Sequence, residues 1–392
     1  MLHLLRRNPL RITPQLSPSS VLLRFLHEST ITSSDADTDT DDDASFTVSY
    51  LTTACGLPIP DAVSAASHIR LKPSSTSRTD SVLALLRSYN FSRSQMAAVF
   101  HKHPNLLLAD PDATIRPKLD FLLDYGYSQD DLVNLISADP NLLRISLANR
   151  LIPNFEILQK ILGSKEHVIT AIRGSSRLLR YKLEKMMLPN VETLKSHGLP
   201  AKNIVQLATA YPRVMTQNSD RFAHTVEKLK ELGINPWSTT FILGINAMSG
   251  LTTSTWQRKL SIYRSFGWSE KDTLLAFSRH PFCMLASDEK IKNAMEFFMK
   301  KLQWDPLSLL RRPKLISLSL EKRIIPRCAV LNVLALNNLS SQWKTPVHTV
   351  LMMTEKEFQD RYVLPYGEKF PEVNEAYQGN IEFVEMQFKP HK

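Results

Sequence analysis

Eight positions in this 392-residue chain share one place in a repeating pattern, and six of them are cationic: Arg78, Arg150, Arg221, Arg258, Lys290 and Arg323. The other two, Thr114 and Met186, have a cation nearby in Arg116 and Lys185, and Lys322 sits beside Arg323. Lys and Arg supply 48 of the 392 residues, so chance would place about one cation in eight such positions. Evenly spaced guanidinium and ammonium groups are suited to neutralising a row of phosphates. The set expected to touch nucleic acid is therefore Arg78, Arg150, Lys185, Arg221, Arg258, Lys290, Lys322 and Arg323. The competing use is internal, each cation bonding a carbonyl or Glu of the adjacent unit and locking the stack.

More cations fall near a second recurring point: Arg144, Arg177, Arg180, Lys182, Arg213, Arg311, Arg312 and Lys314. Tyr181, Tyr211, Tyr263 and Trp268 are aromatics that could stack on bases, although single aromatics at helical spacing more often pack in a core. Catalytic chemistry has no comparable footing. No Gly-rich phosphate loop, H-E-x-x-H or G-x-S-x-G occurs, and no nucleophile–base or paired-carboxylate arrangement can be placed. His101 and His103 lack a third metal ligand at any recognisable spacing. Cys55, Cys283 and Cys328 are far apart with no C-x-x-C, which argues against a disulfide framework or a cysteine-built zinc site. Cys283 and Cys328 fall at apolar positions of the pattern and read as buried small hydrophobes. No enzyme activity, cofactor or metal is expected. No apolar run approaches the roughly 20 residues of a membrane span.

The elements that must position the cations come from an internal repeat. HPNLL (103–107), DPNLL (139–143), SSRLL (175–179), YPRVM (211–215), AMSGL (247–251), HPFCM (280–284) and RPKLI (312–316) recur in steps of 36, 36, 36, 36, 33 and 32 residues. A weaker copy, SHIRL, lies 36 residues before the first. A second anchor follows 12 or 13 residues on, as PKLDFL (117–122), PNFEIL (153–158), PNVETL (189–194) and PRCAVL (326–331), with degenerate copies starting at Ser81, His224, Ser261 and Asn293. Glycine turns precede the next helix start at Gly126, Gly198 and Gly267. Ser92 with Gln95, Ser128 with Asp131, and Ser269 with Asp272 resemble N-caps with a polar partner three residues on. Asp305-Pro306 places a cap before a proline at the first helical position. Proline at the first anchor ends one helix, and proline at the second is tolerated in the first turn of the next. Each unit is thus expected to be helix, short 3₁₀ turn, helix and glycine turn.

No such unit buries its apolar face alone, so neighbours must stack. The expected fold is all-α: a superhelical α-solenoid of about eight repeats of about 36 residues over 46–335, with 336–392 as a C-terminal cap. Residues 1–45 are expected to lie outside it. The stretch MLHLLRRNPLRITPQLSPSSVLLRFLH has four Arg and no acid, the composition of an organelle transit peptide, and its Leu/Arg-rich start favours mitochondrion over chloroplast. SDADTDTDDDAS (34–45) has six Asp and reads as a disordered spacer. Of the net charge of +10, residues 1–44 carry −3 and 355–392 carry −3, which concentrates +16 on the repeats.

The phased P-x-L-L copies, the P-x-φ-E-x-L copies, the glycine turns (Gly233 among them) and the tail FQDRYVLPYGEKFPEVNEAYQG together resemble the mitochondrial transcription termination factor (mTERF) family, in its plant organellar branch, over residues 46–380. The resemblance implies a solenoid of helical repeats whose basic groove holds double-stranded nucleic acid. It further implies roles in organellar transcription termination, initiation or transcript maturation, including splicing. The partner expected first is double-stranded DNA, bound by a monomer without membrane insertion. Structured RNA is the alternative, and organellar transcription or splicing factors are further candidates. A protein-interaction scaffold without nucleic acid is the third reading. Tetratricopeptide and pentatricopeptide repeats of 34–35 residues fit less well, because prolines at two internal phases suit neither.

Overall fold

A computed structural model describes residues 38–339, 345–383 and 385, and among these all regular structure is helical. The chain forms two compact units, Met1–Ile152 and Pro153–Lys392. The transit-peptide reading of the first residues lies outside the described part.

The first unit begins with α1 (Thr38–Thr53), which runs through most of the stretch expected as a spacer. Acidic residues at a helix start favour its dipole, so the Asp run opens a helix instead of preventing one. What holds α1 is its second half: Val48 and Leu51 are buried, as is Cys55 just past its end, and Thr47 Oγ1 accepts from Leu71 N at 2.9 Å. It packs on α2 (Ile59–Ala66). Then come α3 (Ser77–Ser88), α4 (Arg93–Lys102), the 3₁₀ turn Pro104–Leu108, α5 (Arg116–Tyr125), α6 (Gln129–Ala138) and the turn Pro140–Leu143. The caps at Ser92 and Ser128 form, and the first is reciprocal with Gln95. The Leu-Leu pairs after Pro104 and Pro140 point inward: Leu106, Leu107, Leu142 and Leu143 are all buried.

The second unit repeats this plan. Its first helices are α8 (Lys165–Gly174), α10 (Ala201–Ala210), α12 (Thr239–Ser249), α14 (Glu270–Arg279) and α16 (Pro306–Arg311), each packed on the next. Its second helices are α7 (Ile152–Leu162), α9 (Leu188–Ser196), α11 (Ser219–Glu231), α13 (Thr253–Ser265), α15 (Asp288–Glu296) and α17 (Ile325–Leu336). Turns at Ser176–Arg180, Pro212–Thr216, Pro281–Met284 and Lys314–Ser317 lie between first and second helices. The turn at Ser176 forms without a proline. At Met248 no such turn forms, and α12 is followed almost directly by α13, which is why the next step shortens to 33 residues. The tail supplies α18 (Val347–Met352) and α19 (Pro371–Gln378), the latter packed along α17. The core holds Phe155, Phe222, Phe241, Tyr263, Trp268, Phe277 and Phe298, with Tyr263 stacked on Trp268 at 4.9 Å between centroids. Both rings are therefore structural, and Trp268 Nε1 donates to Pro306 O at 3.1 Å.

A left-handed residue closes each second helix, as a helix C-terminus commonly requires. Gly126 does this in the first unit, and Gly163, Gly198, Gly233 and Gly267 do it in the second. The same backbone is imposed on Asn90 (φ 60°), Gln303 (φ 54°) and Asn338 (φ 58°). Asn tolerates this region, whereas Gln has no local hydrogen bond to offset it. Gln303→Gly should raise stability by about 0.5–1 kcal/mol in urea denaturation, the usual relief of a non-glycine left-handed residue. Gly267→Ala should lower it by about 1 kcal/mol; a Cβ there meets nothing within 4 Å, so backbone conformation alone sets the loss.

Candidate nucleic-acid interface

The short turn after each first helix ends in carbonyls without helical partners, and inside a stack water cannot reach them. Side chains from the preceding repeat fill this need. In the first unit Lys118 Nζ donates to Leu143 O at 2.5 Å. In the second, Asn154 Nδ2 donates to Leu179 O (3.0 Å) and Tyr181 O (2.8 Å), and Asn190 Nδ2 to Met215 O (3.1 Å) and Gln217 O (3.0 Å). Lys259 Nζ donates to Ala286 O. Arg327 donates to Val350 O, Leu351 O, Met353 O and Thr354 O at 2.7–3.3 Å, and its guanidinium lies over the Phe358 ring at 4.6 Å. All five donors are buried. Burial pushes the Lys118 ammonium below its ordinary range.

The phased cations sit close to these joints. Arg221 Nη2 donates to Ser249 O and Leu251 O, both at 3.3 Å. Arg258 Nε pairs with Asp288 at 2.6 Å, and Lys259 reaches the other carboxylate oxygen at 3.3 Å. Burial alone would raise Asp288, but the hydrogen bonds from Arg258 and Lys259 hold it below the usual carboxylate value. Lys290 Nζ donates to Ser317 O at 2.6 Å. Arg323 donates to Leu351 O, Met352 O and Met353 O, and burial and the nearby Arg327 depress its pKa. Arg150 is half-buried in the turn Leu147–Leu151 that leads into α7. Three of the eight, Arg78, Lys185 and Lys322, are exposed and have no side-chain partner among the described residues. The pattern thus holds two kinds of cation: Arg221, Arg258, Lys290 and Arg323 bridge to the next repeat, and Arg78, Lys185 and Lys322 face solvent.

Around the first-anchor turns the second unit adds Arg177, Lys182, Arg213, Arg311 and Lys314, exposed and likewise without a side-chain hydrogen bond or ion pair among the described residues. Tyr181 is exposed beside them. Where the repeat lacks its turn, an open cleft of about 660 Å³ lies beside α11 and α13, lined by Arg221, His224, Lys228, Met248, Trp256 and Gln257. Glu231 and Glu270 also line it and balance Arg221 and Lys228, so the cleft carries no excess positive charge. His101 pairs with Asp61 at 3.4 Å and His103 meets Arg144 at 3.3 Å, so both are engaged in contacts on the repeats. Cys55, Cys283 and Cys328 are buried and free, and burial pushes the Cys283 thiol up to about 12. Among the described residues no three His, Cys, Asp or Glu side chains gather as a metal site, and no helix is long and apolar enough to cross a membrane.

The buried joint donors escaped the sequence reading, although their signal is plain. The residue after each second-anchor proline is polar (Pro117-Lys118, Pro153-Asn154, Pro189-Asn190, Pro326-Arg327) in a helix whose other inward positions are apolar. Lys259 was hidden because the degenerate anchor starting at Ser261 sits two residues past it. Counted back from the following first anchor, Lys118, Asn154, Asn190 and Lys259 all lie 22 residues before it.

An all-α stack of proline-punctuated repeats with surplus surface cations defines a helical-repeat protein of the solenoid class. The profile of the mTERF family matches residues 83–243 and, overlapping, 140–359, and the chain belongs to that family. The family is one of organellar proteins that bind nucleic acid and act in transcription-related processes. No curated protein matches the chain.

Asn190→Ala and Arg327→Ala should each lower stability by about 2–4 kcal/mol in chemical denaturation, because they strand buried carbonyls at a joint. Lys185→Ala, on an exposed side chain, should stay within about 0.5 kcal/mol of the wild type.

Proposed function

We propose that this protein is a mitochondrial, non-catalytic factor that binds double-stranded DNA through the solvent-facing cations of its repeats and so regulates transcription, at termination or a related step. The observation that carries the reading is the recurrence of exposed, unpartnered cations at equivalent places: Lys185 and Lys322 near the starts of second helices, and Arg177, Arg213 and Lys314 on turns. Surface cations without carboxylate partners cost self-repulsion that a polyanion relieves. Family membership and the +16 on residues 45–354 support the same reading. Arg78, Arg150, Arg221, Arg258, Lys290 and Arg323 add charge to it, four of them while also bridging repeats. Backbone phosphates would position the protein, and a few side chains reaching base edges would select the site. The Leu/Arg-rich leader supports mitochondrial import.

Fluorescence anisotropy with duplex DNA, duplex RNA and single-stranded RNA across a salt series tests this. Duplex DNA should bind most tightly, with log affinity falling steeply against log salt. The triple change Lys185→Ala, Arg213→Ala, Lys322→Ala should flatten that slope by about 0.9 per lost phosphate contact. Preference for either RNA would instead make the protein a factor of transcript maturation, and an unchanged slope would remove these cations from the interface. Residues 1–45 fused to a fluorescent protein should carry it into mitochondria; a chloroplast signal would reassign the compartment.

A further inference from the structure

One face of the second unit concentrates basic groups without a counter-charge. His280 and Arg312 occupy equivalent places in successive layers, 32 residues apart, and His348 lies in the next layer, 36 residues beyond Arg312. His280 immediately precedes the turn Pro281–Met284, and Arg312 immediately precedes Pro313 and the turn Lys314–Ser317. His348 lies at the start of α18. The turn Lys314–Ser317 packs against Pro281–Met284 and also against α18, which brings the three layers together. Arg311 and Lys314 flank the middle layer and are exposed, while His280, Arg312 and His348 are half-buried.

None of these five side chains has a hydrogen bond or ion pair among the described residues. His280 Nε2 is buried with no partner. The charged neighbours that act on the column are themselves cations. Burial, then Lys314, pushes His280 below its ordinary value; burial, then Arg312, does the same to His348; burial and Arg311 depress Arg312. Arg279, next to His280, behaves otherwise, since its guanidinium donates to Leu310 O at 2.9 Å. Nearby cations are thus committed to joints while this column is left open. A layered column presents donors at repeated steps, which suits a chain of phosphates better than one small anion.

We propose that His280, Arg311, Arg312, Lys314 and His348 form a phosphate-binding site that grips the backbone of the bound nucleic acid. The inference rests on the nucleic-acid reading above and narrows it to a place. Arg312 supplies a planar fork, Arg311 and Lys314 supply exposed charge, and the half-buried imidazoles bound the site at the two outer layers.

The test uses the full chain and a fluorescent duplex in a salt series, with inorganic pyrophosphate as a competitor. Arg311→Ala/Lys314→Ala changes only exposed side chains and should fold with an unaltered melting temperature. It should lower the salt slope by close to 2, at about 0.9 per lost contact. Arg312→Ala should lower the slope by about 0.9, and Arg312→Lys should restore most of the loss. Lys202→Ala/Lys230→Ala, two exposed cations elsewhere on the unit, should leave the slope unchanged. Pyrophosphate should compete with the wild type more strongly than with Arg311→Ala/Lys314→Ala. Wild-type binding with an unchanged slope in the 311/314 variant overturns the site and leaves the broader reading standing. An equal loss in the 202/230 control also overturns it, since the attraction would then be diffuse. If the wild type binds no nucleic acid, the reading and the site fall together.

Discussion

The structure depends on one constraint: carbonyls at the end of the turn between a first and a second helix must be paired inside a stack that excludes water. Proline opens most of these turns and, by removing a donor, ends the first helix there. The donor comes from the preceding repeat's second helix, as Lys118, Asn154, Asn190, Lys259 or Arg327. Each such bond fixes two layers at once. Apolar contacts alone would allow neighbouring helices to slide, but a buried amide aimed at two carbonyls sets their register.

Changes in the repeat follow from the same requirement. Two second helices of the second unit carry an apolar residue at the place of the buried donor, Val226 and Ile291. In those two, a phased cation takes over: Arg221 reaches Ser249 O and Leu251 O, and Lys290 reaches Ser317 O. The need for a donor is held constant while the residue supplying it moves by one or a few positions. The capping segment obeys it too, since Arg323 and Arg327 converge on the carbonyls of 350–354 as though α18 were one more turn.

Much of the fold was legible because proline, glycine and capping residues act locally. Ser92, Ser128 and Ser269 cap as their spacing suggests, and the Leu-Leu pairs turn inward. What stayed hidden was set by tertiary contact. Gln303 and Asn338 adopt a glycine-like backbone that their side chains do not announce, and the Asp-rich stretch becomes the start of α1 because Val48 and Leu51 find a core. The periodicity of the cations was visible, but whether a given cation meets a carbonyl or water depends on the residue packed beneath it. A buried Lys or Asn after proline looks like ordinary surface polarity until a carbonyl is found across the joint.

The two uses of the cations are compatible to different degrees, and their hydrogen bonds say which. Arg221 spends one terminal nitrogen on two carbonyls and keeps its charge, its Nε and its other terminal nitrogen. Carbonyls do not neutralise a guanidinium, so its field still reaches solvent. Arg258 shares Asp288 with Lys259, so the trio retains a single net charge and its best donor is occupied. Lys290 has given its ammonium to Ser317 O, and Arg323 is half-buried with three carbonyls around it. Phosphate contact at these last positions would require breaking a joint. A polyanion is therefore best met where the repeat needs no donor, on the turns and at the exposed starts of the second helices. The regular spacing of the bridging cations then reflects the spacing of the joints, and the solvent-facing cations borrow that spacing because they ride on the same repeats.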